Sequence, residues 1–260
     1  MTIISPYDGV GIAGSPAEGN RVAQRDGGTS TRHSQIWDHC VPRPRIQQWI
    51  LEHMSYSSNG WVAGSSGAGA GVTSLGDATH PGYLIYTTGT ATTGRFARTW
   101  GASTSPLKLD SASGVTIYET KFRIPTLSDG TDTFSVRAGF LDLLTGAPVD
   151  GVYFELESNA DAQLQCVTAN NSTRTTTDSG VTISAATWYR ARIEITDNTS
   201  AAFFCAAEGS ALGAALVTTA TNIPASTRTY YAAANALKSA GTNARTLEVA
   251  YQLFGSDRYA

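Results

Sequence analysis

Two glutamates near the middle of the chain lie two positions apart and form the first candidate for chemistry. Glu155 and Glu157 occur in the segment 150–158, which reads DGVYFELES. Residues i and i+2 of a β-strand project from the same face, with Cα atoms about 6–7 Å apart. Two carboxyl groups about 5–5.5 Å apart serve as acid and nucleophile in retaining glycosidases. Glycoside hydrolysis is therefore one interpretation of this strand.

Charge pairing is the competing interpretation of the same glutamates. Arg137, Arg190 and Arg192 lie on the polar faces of other predicted strands. Cross-strand pairs of opposite charge commonly cover the solvent side of a sheet. The sequence favours pairing over catalysis and predicts a protein that is not an enzyme.

A second candidate site consists of aromatic rings that can bind sugars. Four rings lie on predicted strands beside polar residues: Trp188, Tyr153, Tyr118 and Trp100. Tyr and Trp combine an apolar face, on which sugar C–H groups can pack, with a polar tip. Packing in the core is the alternative for each ring. A glycan-binding face stays open as an interpretation.

A group of potential metal ligands lies near the N-terminus. His33, His39, Cys40 and His53 are residue types that suit zinc. Their spacing matches neither C-x-x-C nor H-x-x-x-H, the patterns that place ligands on one turn or one helix face. The sequence therefore predicts no metal site and no cofactor.

Short alternating strands are the elements that position these residues. In Thr133–Phe140 (TFSVRAGF) apolar residues alternate with polar or small ones, which places one face in a core. The same alternation recurs in Val152–Glu157, Thr187–Thr196, Ala201–Ala207 and Thr246–Phe254. Further strands are predicted at Gly82–Thr87, Arg95–Trp100 and Val115–Ile124. The Gly-rich stretch Ser57–Thr79 is either a flexible linker or the first edge of the sandwich, and Trp61 and Val62 favour the edge. The pattern is typical of an all-β sandwich.

The first part of the chain has a different character. Residues 1 to about 35 are rich in Gly and Pro and show no periodicity. This predicts an irregular arm, residues 1–45, that a neighbouring subunit orders. Ile46, Trp49 and Ile50 have helical spacing within Arg45–Met54, so one short amphipathic helix is predicted there. The sequence thus predicts two regions, an assembly arm with this helix over residues 1–55 and a sandwich over 56–260.

Composition excludes several functions. Charged residues make up 15% of the chain against a usual share of about 25%, and the formal charge is −3 with no basic run, so nucleic acid is not expected as a partner. The three cysteines are widely spaced and odd in number, which favours buried thiols. Neither a signal peptide nor an apolar segment of about 18–20 residues occurs, so no membrane partner is predicted.

The strand sequences carry a family resemblance. The series VTIYETKFRIP, FSVRAGFLD, DGVYFELE, TWYRARIEI and TLEVAYQLF resembles the concanavalin-A-like, or laminin-G-like, jelly-roll domains of tailed-bacteriophage structural proteins. It covers roughly residues 61–254, and the motifs Gly-Phe-x-Asp, Asp-Gly-x-Tyr-Phe and Trp-Tyr-x-x-x-Ile-Glu mark strand ends and sandwich packing. Glucanases of this fold carry Glu-x-Asp-x-x-Glu, which no segment here matches.

The resemblance implies a role in a virion. Proteins of this kind serve as head decoration, head fibres or tail fibres, so the expected function is a non-enzymatic structural protein located in the virion and attached by its N-terminal arm. Its expected partners are capsid or tail subunits and further copies of itself, with a trimer as the expected assembly. Host surface polysaccharide is the alternative partner, for a chain that works as a glycan-binding module.

Overall fold

The computed structural model describes residues 48–53, 61–75, 80, 82–100, 107–109, 114–157 and 162–258. Every regular element in these residues is a β-strand, which confirms the predicted all-β class. The arm 1–45 and Ile46 lie outside the described residues, and the boundary between residues 55 and 56 stays a prediction.

Sixteen strands occur in the described residues. They are β1 Gln48–His53, β2 Trp61–Ser66, β3 Gly71–Leu75, β4 Tyr83–Thr87, β5 Arg95–Trp100, β6 Leu107–Lys108, β7 Gly114–Arg123, β8 Thr133–Leu141, β9 Gly151–Leu156, β10 Gln163–Asn170, β11 Thr173–Thr182, β12 Trp188–Thr196, β13 Ser200–Ala207, β14 Val217–Thr219, β15 Thr229–Ala240 and β16 Thr246–Arg258.

The strands form two antiparallel sheets. Sheet A has the order β14-β13-β12-β7-β16-β4-β3, and β1 also pairs with β16. Sheet B has the order β11-β10-β9-β8-β15-β5-β2, and β6 also pairs with β15. Neighbours in each sheet are often far apart in sequence, as expected for a jelly-roll sandwich. The predicted architecture is confirmed.

The predicted helix at Arg45–Met54 is wrong for the part that the structure describes. Residues Gln48–His53 form β1, which pairs antiparallel with the last half of β16, so that Ile50 lies opposite Phe254. Six residues are too short to separate a 3.6-residue period from a 2-residue period. The backbone hydrogen bonds that β16 offers decide the outcome, because tertiary pairing overrides weak local propensity.

The core lies between the sheets. The alternating residues Phe134, Val136, Ala138 and Phe140 of β8 all belong to it, as predicted. The sheets meet through aromatic pairs such as Phe154 and Phe203, whose ring centroids are 5.3 Å apart. Each buried ring of this size contributes about 1.5–3 kcal/mol to folding.

Two thiols belong to the same core. Cys166 of β10 and Cys205 of β13 are free and buried, as predicted for these residues. Burial raises the pKa of both thiols, that of Cys205 to about 12. Neither thiol is a nucleophile at neutral pH in the folded protein, because only the thiolate reacts.

A cluster of charged groups closes the end of the sandwich where β8 begins. The side chain of Arg245 donates from Nη2 to Asp129 Oδ2 at 2.6 Å and lies 3.5 Å from Asp132 Oδ2. Asn243 donates to Asp132 from its backbone amide at 2.8 Å and from Nδ2 at 2.6 Å. We call these four residues the Arg245 cluster.

The carboxylates of this cluster are strongly stabilised in their ionised form. Hydrogen bonds from the backbone amides of Asp132 and Thr131, together with Arg245, lower the pKa of Asp129 to about 2. The Asn243 side chain is the largest cause that lowers the pKa of Asp132. Arg245 and Asp132 are both buried, so the cluster ties the 129–132 loop to the turn before β16.

Among the residues that the structure describes, no helix has the length and apolar character needed to cross a membrane.

Candidate functional site

The hairpin formed by β8 and β9 brings two aspartates together at its loop end. Leu141 pairs with Gly151, and immediately beyond them the amide of Asp142 donates to the carbonyl of Asp150 at 3.2 Å. The two aspartates therefore lie opposite each other where the strands give way to a loop. Like charges directly opposite each other destabilise a strand pair, so this arrangement is not explained by sheet formation.

A glycine makes this close pairing possible. Gly139 of β8 has φ of 148°, and a Cβ at this position would lie 2.5 Å from the carbonyl oxygen of Val152 and 2.7 Å from Cα of Tyr153. Any other residue would push β9 away from β8. Gly139 thus helps to hold the hairpin in the register that brings Asp142 and Asp150 together.

The two aspartates line an open polar pocket of about 230 Å³. Its lining residues are Asp142, Asp150, Arg228, Thr229 and Tyr231, and we call it the aspartate pocket. The loop between β8 and β9 supplies one wall, and the residues at the start of β15 supply the other.

Asp150 is the buried anchor of the pocket. Its Oδ1 accepts a hydrogen bond from the amide of Asn171 at 2.8 Å, in the turn between β10 and β11. Arg228 Nε lies 3.5 Å from Asp150 Oδ2, and its guanidinium also donates to Asn171 Oδ1 at 3.4 Å. Arg228 is about half exposed, at 47% of its side chain, so it remains accessible to a ligand.

Asp142 is less well compensated. Its Oδ1 accepts a hydrogen bond from the amide of Val149 at 3.0 Å. Burial is the largest cause that raises the pKa of Asp142 above its usual value, and the charge of Asp150 adds to the rise. An ionised carboxylate that is partly buried beside a second carboxylate destabilises the fold, and such groups are typical of binding sites.

The pocket combines groups that recognise polyhydroxylated ligands. Two carboxylates accept hydrogen bonds from hydroxyl groups, and the Arg228 guanidinium donates them. Tyr231 packs against the cluster formed by Leu141, Tyr153, Val167 and Ala233. Its ring therefore has a fixed position in the wall.

Glu155, the first candidate from the sequence, is engaged in ion pairs. Arg137 Nε donates to Oε1 and Arg174 Nη2 donates to Oε2, so each carboxylate oxygen has a guanidinium partner. Arg137 Nη1 also donates to the carbonyl oxygen of Gly146 at 2.8 Å, which fastens the β8–β9 loop to the sheet. Glu155 is buried, whereas Glu157 is exposed one residue beyond the end of β9.

The other two predicted arginine partners lie elsewhere. Arg190 and Arg192 belong to β12 of sheet A, whereas Glu155 belongs to sheet B. Arg192 forms an ion pair with Glu194 of its own strand at 2.6 Å.

The aromatic candidates are not brought together. Tyr118, Tyr153 and Trp188 are all buried, and they belong to β7, β9 and β12. Tyr118 faces the core and donates its hydroxyl to the carbonyl of Ala233 at 3.0 Å. Trp100 ends β5, and its side chain lies outside the described part of the chain.

Trp188 belongs to a separate cluster on the outer face of sheet A. The ring of His80 stacks on it with centroids 4.7 Å apart, and the Arg123 guanidinium lies 4.9 Å from it. His80 Nε2 lies 3.0 Å from Glu208 Oε1, and Lys121 lies 2.5 Å from the same oxygen. This packing covers the indole ring.

The potential metal ligands of the sequence do not form a site that the structure describes. His33, His39 and Cys40 lie outside the described residues, and His53 ends β1. No group of three or more His, Cys, Asp or Glu residues that suits a metal ion occurs in the described ranges.

Sequence reasoning missed all five residues of the aspartate pocket. Three separate segments supply them, so no local spacing reveals the set. A signal was nevertheless present. Asp142 ends the Gly-Phe-x-Asp motif and Asp150 begins the Asp-Gly-x-Tyr-Phe motif, and consecutive antiparallel strands place those two ends side by side.

The two stacked sheets form a concanavalin-A-like jelly-roll fold, which solved structures of lectins and glucanases share. A Lotus tetragonolobus seed lectin is similar to the chain with a TM-score of 0.54 at 8% identity, over 82% of this chain and 100% of the lectin. A carbohydrate esterase from Shiga toxin-encoding bacteriophage phi24B has a TM-score of 0.52 at 9% identity, over 81% and 98% of the two chains. At these identities the similarity shows the fold.

The chain belongs to the family described as SO2946-like, C-terminal domain, whose model matches residues 79–249. A protein of unknown function, SO2946 from Shewanella oneidensis MR-1, has a TM-score of 0.61 at 14% identity and covers 89% of this chain and 96% of its own. No curated protein sequence matches the chain.

Proposed function

We propose that this chain is a non-enzymatic carbohydrate-binding protein whose aspartate pocket holds one unit of a polysaccharide. The observation that carries the proposal is the pair of opposed carboxylates, Asp142 and Asp150, in an open pocket whose described lining includes the half-exposed Arg228. Pockets for drug-sized ligands measure about 300–1,000 Å³. At about 230 Å³ this pocket suits a smaller, polar ligand such as a single sugar ring.

The chemistry of the lining supports a sugar. A carboxylate accepts hydrogen bonds from adjacent hydroxyl groups, and a bond to a charged group contributes about 1.5–3 kcal/mol. Arg228 and Thr229 offer donors on the other side, and Tyr231 offers the apolar surface that sugar C–H groups need. A seed lectin and a phage carbohydrate esterase share this fold, so the scaffold is compatible with carbohydrate ligands.

The geometry around Glu155 argues against hydrolysis through the two glutamates. A retaining glycosidase needs one free carboxylate as nucleophile and one protonated carboxyl group as acid. Both oxygens of Glu155 are bound by arginines, and Glu157 is exposed beyond the strand. We infer that Glu155 stabilises the face of sheet B and fastens the loop that carries the pocket.

A Glu155→Gln variant separates the two roles. We expect no turnover of polysaccharide by the native protein, and a fall of roughly 10 °C in the melting temperature of the variant, because Arg137 is left buried without its charge partner. Reducing-sugar release and calorimetry measure the two quantities. Turnover in the native protein that the variant loses, at unchanged melting temperature, would refute the structural role.

The setting that we propose is a bacteriophage particle. The strand motifs resemble those of tailed-phage structural proteins, and a phage carbohydrate esterase shares the fold. In this proposal the arm 1–45 binds capsid or tail subunits, and the sandwich presents its pocket to host surface polysaccharide. Peptide mass spectrometry of purified particles tests the setting. Absence of the protein from particles refutes the virion role and leaves carbohydrate binding intact.

Binding is tested with an array of bacterial surface polysaccharides, followed by calorimetric titration with an oligosaccharide of the strongest responder. We expect Asp142→Asn to weaken binding by at least tenfold, because the variant loses a charged acceptor. Glu157→Gln is the matched control, since it removes one exposed carboxylate outside the pocket. Equal affinity in both variants, or no response on the array, contradicts the proposal.

A further inference from the structure

In the described residues, four strands end the main paths of the two sheets, and β1 and β6 pair beside these paths. In sheet A the terminal strands are β14 and β3, and in sheet B they are β11 and β2. A terminal strand exposes a row of unpaired backbone N–H and C=O groups, and soluble proteins usually protect such edges with charge, shortness or a covering segment.

Two of the four edges have such protection. The strand β14 is only three residues long, Val217–Thr219. The longer strand β11 carries Arg174 and the exposed Asp178. Both devices discourage another strand from pairing at these edges.

Within the described residues, the other two edges have neither charged side chains nor a strand paired over them. The strands β2 and β3 are six and five residues long, and residues 54–76, which contain both, include no Asp, Glu, Lys or Arg. Val62 of β2 and Val72 of β3 are 44% and 42% exposed. A Cβ added at Gly64 or Gly71 would meet open space, so another backbone can approach these strands closely.

The two unprotected edges lie side by side. A four-residue turn, closed by a hydrogen bond of 3.1 Å from the amide of Ala70 to the carbonyl of Gly67, joins β2 to β3. Within the described ranges, β2 pairs only with β5 and β3 only with β4. As far as the structure describes the chain, both sheets therefore end at the same side of the sandwich without a further strand.

We propose that these edges pair with the β2 and β3 of a second copy of this chain. A partner that satisfies both edges must offer two strand edges at the spacing of packed sheets, about 10 Å. A second copy of the chain has the same two edges and therefore the same spacing between them. Antiparallel strands are related by a two-fold axis, so one axis pairs β2 with β2 and β3 with β3 and makes both sheets continuous.

Charge supports the same partner. An edge without charge meets its own copy without repulsion, whereas a charged edge would place like charges opposite each other. The low overall charge of the chain, 15%, is consistent with surfaces that are buried by neighbours.

Sedimentation equilibrium of the full chain tests the proposal. We expect a dimer, and we expect the double variant Val62→Lys with Val72→Lys to weaken dimerisation by at least 100-fold, because four lysines then meet at the interface. Both valines are exposed, so the melting temperature of the dissociated variant should show that the fold is intact. The matched control is Leu216→Lys with Thr218→Lys, which adds the same charge at the β14 edge and should remain a dimer.

Other results overturn the proposal. A native monomer refutes it, and so does a trimer, because two-fold edge pairing cannot produce three equivalent subunits. Equal weakening by the control variant would show that charge in general, and not this edge, controls association.

A second measurement locates the contact. Single cysteines are introduced in turn at Ala63, Gly64 and Ser65 in a Cys40→Ser background. A disulfide requires Cα atoms about 4.4–6.8 Å apart, so only the position near the two-fold axis should cross-link two copies. A dimer in which none of the three positions cross-links overturns the assignment of the interface to β2.

Discussion

Two aspartates and one arginine lie at each end of β8, but the pKa shifts of the aspartates differ in direction between the two ends. Where β8 begins, Asp129 and Asp132 share a buried arginine, and their pKa values are lowered. Where β8 ends, the half-exposed Arg228 lies 3.5 Å from Asp150, and the pKa of the neighbouring Asp142 is raised. The same residue types thus form the buried ion pairs of the Arg245 cluster at one end and the open aspartate pocket at the other.

The difference separates a structural acidic pair from the pair that we propose to bind a ligand. In the Arg245 cluster the carboxylates are satisfied by the guanidinium, an asparagine and backbone amides. In the aspartate pocket the lining arginine, Arg228, is half exposed, and the carboxylates oppose each other. Residues that stay under-compensated in a native fold are the ones that a ligand can compensate.

The largest expected effect concerns the two arginines. We expect Arg245→Met to lower the melting temperature by about 10 °C, because the buried Asp132 loses its charge partner. Arg228→Met, which removes an exposed pair, should lower it by less than about 2 °C. Differential scanning calorimetry of both variants measures the contrast, and equal losses would show that both ends are structural.

Replacing an aspartate by asparagine should change the melting temperature in opposite directions at the two ends of β8. Asp132→Asn should lower the melting temperature by several degrees, since the neutral amide binds Arg245 and Asn243 less well. Asp142→Asn should leave it unchanged or raise it by about 2 °C, because it relieves the repulsion from Asp150. The same variant should lose sugar affinity, as expected where function is maintained at a cost in stability. A loss of stability in both variants contradicts this distinction.

The smallest effect is a difference in pH response. A lowered pKa means that Asp129 stabilises the fold above the usual value of 3.8, and that this contribution is lost as pH falls towards about 2. A raised pKa means that Asp142 takes up its proton above 3.8, where the fold gains from protonation but the charged acceptor is lost. Sugar binding should therefore weaken at a pH where the Arg245 cluster is still intact. Titrations of affinity and of melting temperature from pH 7 to 3 check the order.

Much of the fold is predictable because strand alternation is a local signal. The run Thr133–Phe140 places its apolar residues in the core as the pattern requires. The failure at Gln48–His53 has a non-local cause, since its partner strand begins almost 200 residues later in the chain. Six residues with mixed periodicity contain no information about that partner.

The candidate site was less accessible to sequence reasoning. Glu155 and Glu157 share a spacing that suits catalysis, yet the pairing of Glu155 depends on Arg137 and Arg174 from two other strands. The aspartate pocket joins the β8–β9 loop to the start of β15, about 80 residues later. The sequence does show that one motif ends with Asp142, that the next begins with Asp150, and that both belong to one predicted hairpin.

The two core thiols make it possible to measure by chemical labelling how often the sandwich opens. Cys166 and Cys205 face the space between the sheets, and their raised pKa values keep them inert while the sheets stay packed. In a Cys40→Ser background at neutral pH, an alkylating reagent should modify these two thiols only in molecules whose two sheets have separated. If reclosing is slower than labelling, the alkylation rate is the unfolding rate, and the native protein can be compared with its variants by this rate.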